Sequence, residues 1–197
     1  LTGYHYIYDQ YQAFSVLGGL PQVNNSDARA TGAELEAFWQ PSRRFNVNVG
    51  ATWETTRVDQ VQGPGSQFGP EFFPGAPDAQ FCVNQNDGSF FCDYPQKTIN
   101  GARLPNAPRF SANYLLRYNR DMLGGNVAVQ FDGVWYDDQY LEVTNGASSL
   151  QKAYNVSNAS LTWTSANDRY AVQVFGRNVF DQAYRAYTLN LGILGTT

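Results

Sequence analysis

Polar and apolar residues alternate with a period of two along most of this 197-residue chain. Residues 45–54 give the clearest case. Phe45, Val47, Val49, Ala51 and Trp53 fall on one face, and Asn46, Asn48, Gly50, Thr52 and Glu54 on the other, as successive side chains of a β-strand do. The pattern recurs. Phe110, Ala112, Tyr114, Leu116 and Tyr118 oppose Arg109, Ser111, Asn113 and Arg117; Val127, Val129, Phe131, Gly133 and Trp135 alternate with Asn126, Gln130 and Asp132. Tyr170, Val172, Val174 and Gly176 alternate with Gln173 and Arg177, Thr31 to Trp39 with Glu34 and Glu36, and Tyr4, Tyr6 and Tyr8 share a face. About seven strands are predicted. In residues 154–163 Tyr154 and Val156 have the opposite parity to Leu161 and Trp163, which predicts a bulge or a change of phase.

The apolar faces carry rings at their ends and few branched aliphatics between them, whereas a packed soluble core favours the branched ones. Amphipathic rings at both ends of a strand suit the two interfaces of a bilayer. The expected connections alternate in length: short at 40–44, 119–125 and 164–169, long at 18–26, 58–108 and 137–151. Short turns on one side and long loops on the other predict an all-β fold, an antiparallel transmembrane β-barrel with periplasmic turns and extracellular loops. Segment 59–106 is its main extracellular loop, rich in Gly and Pro, and carries Phe68, Phe72, Phe73, Phe81, Phe90 and Phe91 as candidates for touching a ligand. The alternatives are a passive porin-like barrel and a soluble β-sandwich that binds carbohydrate.

Composition fits such a wall. Aromatic residues are 15% and charged residues only 15%, against about a quarter charged in ordinary globular chains. Mean hydropathy is -0.43, so Asn, Gln, Ser, Thr, Gly and Tyr stand where charges would be. A net charge of -4 with no cluster of Lys and Arg speaks against nucleic acid as a partner. No run of about 18 apolar residues could form a membrane helix. The chain opens inside a strand-like pattern, so it is expected to be a fragment whose targeting segment lies upstream. Cys82 and Cys92 are too far apart for a zinc-type pair and predict a local disulfide in an oxidising compartment, the alternative being two free thiols.

Three motifs then resemble one family. Gly32-Ala-Glu34-Leu-Glu36, with Phe38-Trp39-Gln40-Pro41 and the 45–53 strand, resembles the G-x-E-x-E strand, turn and up-strand of TonB-dependent receptors. Pro105 and Pro108 in Leu104-Pro105-Asn106-Ala107-Pro108-Arg109-Phe110 resemble the family's P-x-x-P entry into a descending strand. Asn178, Phe180, Asp181 and Tyr184 in Asn178-Val-Phe180-Asp181-Gln-Ala-Tyr184 resemble the N-L-F-D-x-x-Y signature of the penultimate strand, with Val179 for the usual Leu. The resemblance covers residues 1–197 as the C-terminal portion of a barrel of about 22 strands, with the final strand and the plug domain missing. It implies uptake of a scarce nutrient (ferric siderophore, corrinoid or oligosaccharide) across the bacterial outer membrane. The partners it implies are outer-membrane lipid, the protein's own plug and remaining strands, and TonB, reached through a segment outside this chain. Such a piece, with two open edges, is not expected to fold alone.

Glu34, Glu36, Asn48, Arg109, Arg117, Gln130, Asp132 and Arg177 are the candidates for lining the wet interior. Glu34 and Glu36, two apart on one strand, point the same way and so do not flank a bond as a glycosidase pair would. His5 is the one histidine, leaving no triad and no His-based metal site. No enzyme activity and no cofactor are expected.

Overall fold

The structure is a computed structural model that describes residues 1–17, 20–64, 82–84, 90–92 and 96–188. Its strands, in chain order, are β1 (Thr2–Leu17), β2 (Leu20–Ser42), β3 (Phe45–Asp59), β4 (Val61–Pro64), β5 (Cys82–Asn84), β6 (Phe90–Cys92), β7 (Gln96–Ile99), β8 (Phe110–Met122), β9 (Gly125–Tyr136), β10 (Gln139–Tyr140), β11 (Leu150–Gln151), β12 (Tyr154–Ser165) and β13 (Ala171–Gly176). Seven of them form one antiparallel sheet in the order β1-β2-β3-β8-β9-β12-β13. It is an open meander of nearest neighbours, and no α-helix occurs among the described residues.

The register fixes which residues share a face. Trp39, Val47, Leu116, Phe131, Ala159 and Gly176 lie opposite one another across six strands, and Phe45, Tyr118, Val129, Leu161 and Val174 form the next row. Every apolar set expected from the sequence on β3, β8, β9 and β13 falls on this one face. The other face carries Glu36, Gly50, Asn113, Val134 and Val156 in one row and Glu34, Thr52, Ser111, Tyr136 and Tyr154 in another. A slip of one residue would turn every side chain of a strand over, so the agreement of five ladders on one parity fixes the register.

One expectation needs correction, and at residues 154–163 the change of phase holds and not the bulge. Residues 20–26 are not a loop: β2 begins at Leu20 and pairs with β1 from Leu17↔Leu20 to Tyr11↔Ser26. The turn residues around Asn24 and Asn25 are poor strand formers, yet cross-strand hydrogen bonds overrule the local preference. Nor is there a bulge in β12, whose register with β9 is unbroken from Tyr154↔Tyr136 to Ser165↔Gly125. Asn155 and Ser157 instead occupy the apolar face, where Tyr114 covers them. Its hydroxyl donates to Asn155 Oδ1 at 3.2 Å and lies 2.7 Å from Ser157 Oγ, and Ser157 is fully buried. The β1 ladder does shift, between Tyr8 and Tyr11, where Gln10 has φ 58°. Beyond that shift Tyr11, Ala13 and Ser15 take over the face that Tyr4, Tyr6 and Tyr8 hold below it.

Segment 59–106 is more regular than a loop. β4 pairs with β7, β5 with β6, and Val58 bridges Ala102, so its described parts continue the β3/β8 pairing outward. Cys82 and Cys92 stand opposite each other in the β5/β6 backbone ladder. Their sulfurs, and Phe68, Phe72, Phe73 and Phe81 with the side chains of Phe90 and Phe91, lie outside the described residues.

Gly133 sits beneath the Tyr114 ring: a Cβ there would come within 2.5 Å of both the Tyr114 hydroxyl and the Val156 carbonyl oxygen. The backbone oxygen cannot move without breaking the ladder. Gly133→Ala in the intact protein is therefore expected to lower stability by about 1–3 kcal/mol, the usual size of an overpacking cost. Tyr114→Phe, which removes the hydroxyl's bonds to Asn155 and Ser157 but leaves Ser157 Oγ its bond from Asn155 Nδ2 at 2.9 Å, should cost about 0.5–1.5 kcal/mol. Thermal melts of each variant against the parent check this; unchanged midpoints would mean that the Tyr114–Gly133–Ser157 joint carries no load.

Candidate functional site

The polar face holds a shallow groove of about 240 Å³ lined by Glu34, Glu36, Gly50, Thr52, Ser111, Asn113 and Tyr136. The period of two on β2, β3, β8 and β9 aims these residues to one side. Tyr4 closes the neighbouring position. Its ring lies over Gly32, where a Cβ would meet the ring at 2.6 Å, and its hydroxyl donates to Glu54 Oε2 at 3.4 Å. Gly32 of the G-x-E-x-E run thus admits a tyrosine flat against the backbone, while Glu34 and Glu36 project into the groove.

All eight interior candidates lie on the polar side or at its edge, but they form no single site. Glu34 and Glu36 share the groove. Asp132 accepts from Gln130 at 2.9 Å and from Asn158 at 3.0 Å, making a neighbouring neutral-plus-carboxylate cluster. Asn48 lies between these two groups in the register. Arg117 donates to Asn119 at 3.1 Å toward the short turns, Arg109 is exposed at the opposite end of β8, and Arg177 lies 5.7 Å over the Phe175 ring near the far edge. Among the described residues no group of three His, Cys, Asp or Glu side chains could hold a metal ion.

The long-connection end is organised differently. Beyond Glu54 the polar face turns apolar: Val58, Ala28, Ala13, Val61, Ala102 and Val143 pack into a small buried core, flanked by Tyr11, Ile99 and Leu104. On the outer face the same strands become charged, with Arg29 opposite Arg57 and Asp27 opposite Asp59. Asp59 accepts from Arg57 Nε at 2.9 Å and from the Gly101 N–H at 2.8 Å. Desolvation pushes this carboxyl upward, but the guanidinium and the N–H outweigh it and hold it below the ordinary carboxylate range.

One clasp joins the exit of segment 59–106 to the connection at 137–153. Asn145 Oδ1 accepts from the Arg103 N–H at 2.6 Å, and its Nδ2 donates to the carbonyls of Arg103, Glu142 and Val143 at 2.9, 3.1 and 3.3 Å. Arg103 donates to the carbonyls of Ala107 and Asp138 and stacks 5.7 Å over Tyr140. Between the two prolines, Asn106 takes φ 55° and donates to Tyr140 O at 2.8 Å. The third motif is a buckle as well. Asn178, at φ 48°, exchanges two hydrogen bonds with the Gln182 backbone, Phe180 meets Phe131 edge-on at 6.4 Å, and Tyr184 stacks on Tyr154 at 4.7 Å. Arg185 then donates to the carbonyls of Ser148 and Leu150. Reading the sequence missed Arg103, Asn145, Tyr154 and Arg185; an Asn-Gly turn at 145–146 was the one local signal.

An open antiparallel sheet with one polar and one ring-bordered apolar face, carried on short turns at one end and long connections at the other, is part of a β-barrel wall. The TonB dependent receptor-like β-barrel family model matches residues 1–179, and the chain belongs to that family. Among solved structures, the ferric yersiniabactin uptake receptor FyuA from Yersinia pestis matches 94% of this chain with a TM-score of 0.62 and 18% sequence identity. That likeness is one of fold, and the chain spans 22% of the length of that receptor. No curated protein matches it.

Replacing Asn145 by Ala removes an acceptor and three donated bonds from partly buried carbonyls. The change is expected to cost about 1–3 kcal/mol locally and to speed proteolysis within residues 101–108 and 137–153, with the barrel strands untouched. Limited proteolysis followed by peptide mapping checks it, and cleavage at the parent's rate would show the clasp to be dispensable.

Proposed function

We propose that this chain is a stretch of the wall of a TonB-dependent outer-membrane transporter, with the polar face toward the lumen and the ring-bordered face toward lipid. The observation that carries the reading is that apolar face. From Phe45 to Trp53 it spans roughly 27 Å along the strand, or about 20 Å in height once tilted, close to the apolar band of such barrels. Val49, Leu116, Val129, Leu161, Val172 and Val174 on it are all exposed, an apolar surface too extended for a soluble monomer. Trp53, Phe110 and Trp135 border it above; Trp39, Phe45, Tyr118, Trp163 and Tyr170 border it below.

In this reading the short turns are periplasmic and the long connections extracellular. Glu34, Glu36, Asn48, Arg109, Arg117, Gln130, Asp132 and Arg177 face water or the plug. Segment 59–106, with Phe68, Phe72, Phe73, Phe90 and Phe91, contacts the imported nutrient, and a Cys82–Cys92 disulfide ties it. The cargo is a nutrient too large or too rare for passive diffusion, a ferric siderophore being one such class. The role is transport and not catalysis, driven through TonB.

Adjacent residues on opposite faces test the orientation. In the intact receptor Val49→Arg should cost about 2–4 kcal/mol of barrel stability, as a cation at mid-bilayer does, and reduce the folded, heat-modifiable form in the outer-membrane fraction. Asn48→Arg should leave that form unchanged. Equal tolerance of both would remove the lipid-facing assignment. Uptake that persists after tonB is deleted would favour the passive porin. Peptide masses with and without reductant decide the disulfide: a shift of two hydrogens on the linked peptide is expected, and free thiols in unreduced protein would exclude it.

A further inference from the structure

Arginines at the short-turn end form a feature that transport does not use. The three turns lie side by side along one rim. The Asn119 N–H donates to Arg44 O at 2.8 Å, linking the β2–β3 turn to β8. Ala166 N–H donates to Gly124 O at 3.2 Å, and Trp163 Nε1 to Leu123 O at 3.2 Å, linking the β8–β9 and β12–β13 turns. On this rim Arg43, Arg44, Arg120 and Arg169 are all exposed. Arg120 lies on the same face as Tyr118, one step beyond it on β8, and Arg169 immediately precedes Tyr170. The guanidinium groups thus sit at or just below the lower ring of aromatics.

No rim guanidinium has an ion-pair partner among the described residues. Both ion pairs found there, Arg57–Asp59 and Lys152–Asp138, are at the other end. The rim carries two carboxylates against the four arginines, Asp121 and Asp168, and Asp121 is taken by Asn126 at 2.9 Å. Exposed Met122 and Leu123 (74% exposed) stand beside the arginines at the tip of the middle turn. Basic groups, rings and apolar tips at one level match a headgroup layer. The rings sit at the apolar boundary, while Arg stems snorkel outward and present planar forks that suit phosphate.

We propose that this rim binds anionic phospholipid headgroups, Arg43, Arg44, Arg120 and Arg169 each meeting lipid phosphate and Met122 and Leu123 dipping among the acyl chains. The site rests on the lipid-facing reading above. Of the loop-end cations, Arg57 and Lys152 have carboxylate partners and Arg103 and Arg185 are committed to backbone carbonyls, which leaves Arg29 and Arg109 exposed there against the four arginines of the rim.

The test uses the intact receptor, reconstituted in parallel into phosphatidylcholine and into phosphatidylcholine–phosphatidylglycerol bilayers, with retained lipid counted by native mass spectrometry after release into detergent. The parent should retain phosphatidylglycerol over phosphatidylcholine, and the preference should fall as salt rises. The variant with all four arginines changed to Gln should lose on the order of tenfold or more of that preference, since one basic residue near an anionic surface is worth about fivefold. The matching Lys variant should keep most of it, and Arg29→Gln with Lys152→Gln at the other end should change nothing. Equal retention of the two lipids by the parent, or a salt-independent preference, overturns the proposal without needing any variant. So does an unchanged preference in the Gln variant. A parent that enters neither bilayer fails earlier, on the membrane reading itself.

Discussion

Backbone hydrogen bonding is the constraint from which the rest of this structure follows. Inside an apolar layer no water is available to an unpaired N–H or C=O, so each must find a partner along a neighbouring strand. The five inner strands β2, β3, β8, β9 and β12 meet that demand on both sides, with no break in register through the ring-bordered stretch. Only β1 and β13 present an unpaired side. Irregularity is found at three levels: the β1 shift at Asp9–Gln10 toward the long connections, the Trp39–Ser42 shift of β2 against β3 beside the short turns, and the Asn178 buckle between them, where bonds to Ser157, Asn158 and Gln182 satisfy what the ladder leaves open.

In the proposed orientation, the inversion of polarity along β3 follows from the change of medium. Between Phe45 and Trp53 the outward face is apolar and the inward face carries Asn, Gly, Thr and Glu. A few residues later the outward face carries Arg57 and Asp59, and the inward face carries Thr56 and Val58, both buried. A strand leaving a bilayer exchanges lipid for water outside and water for packed connections inside, so both faces reverse together. Val58 with Ala28, Ala102 and Val143 is therefore a small soluble-type core set on top of a membrane-type wall.

The wall was legible in the sequence because a period-two pattern bordered by rings is a local signal that each strand repeats for itself. Phe110 to Tyr118 and Val127 to Trp135 were assigned to the correct shared face with no knowledge of their neighbours. Residues 154–163 show the change of phase, and not the bulge, that their pattern allowed, and its cause is not local. Asn155 and Ser157 are tolerable on the apolar face only because Tyr114, some forty positions away, reaches across Gly133 to cover them, and no local pattern reports that. The β1–β2 hairpin was misread for want of such a distant cause: Asn24, Asn25 and Ser26 read as loop by propensity, while the pairing that makes them strand belongs to residues 11–17. For the polar face, sequence reading could not say which candidates meet: Glu34 and Glu36 border one groove and Gln130 bonds Asp132, while Asn158, which also bonds Asp132, comes from the neighbouring strand.

What holds the loop end is also what denies it a simple electrostatic reading. Arg103, Arg185, Arg57 and Lys152 would form a basic patch if they pointed to water. Instead Arg103 and Arg185 are turned onto carbonyls of neighbouring connections, and Arg57 and Lys152 onto carboxylates of their own segments, where a hydrogen bond to a charged group contributes more than one between neutral partners. Positive charge from Arg103 and Arg185 is therefore used as mortar between segments 101–108, 137–153 and 177–188.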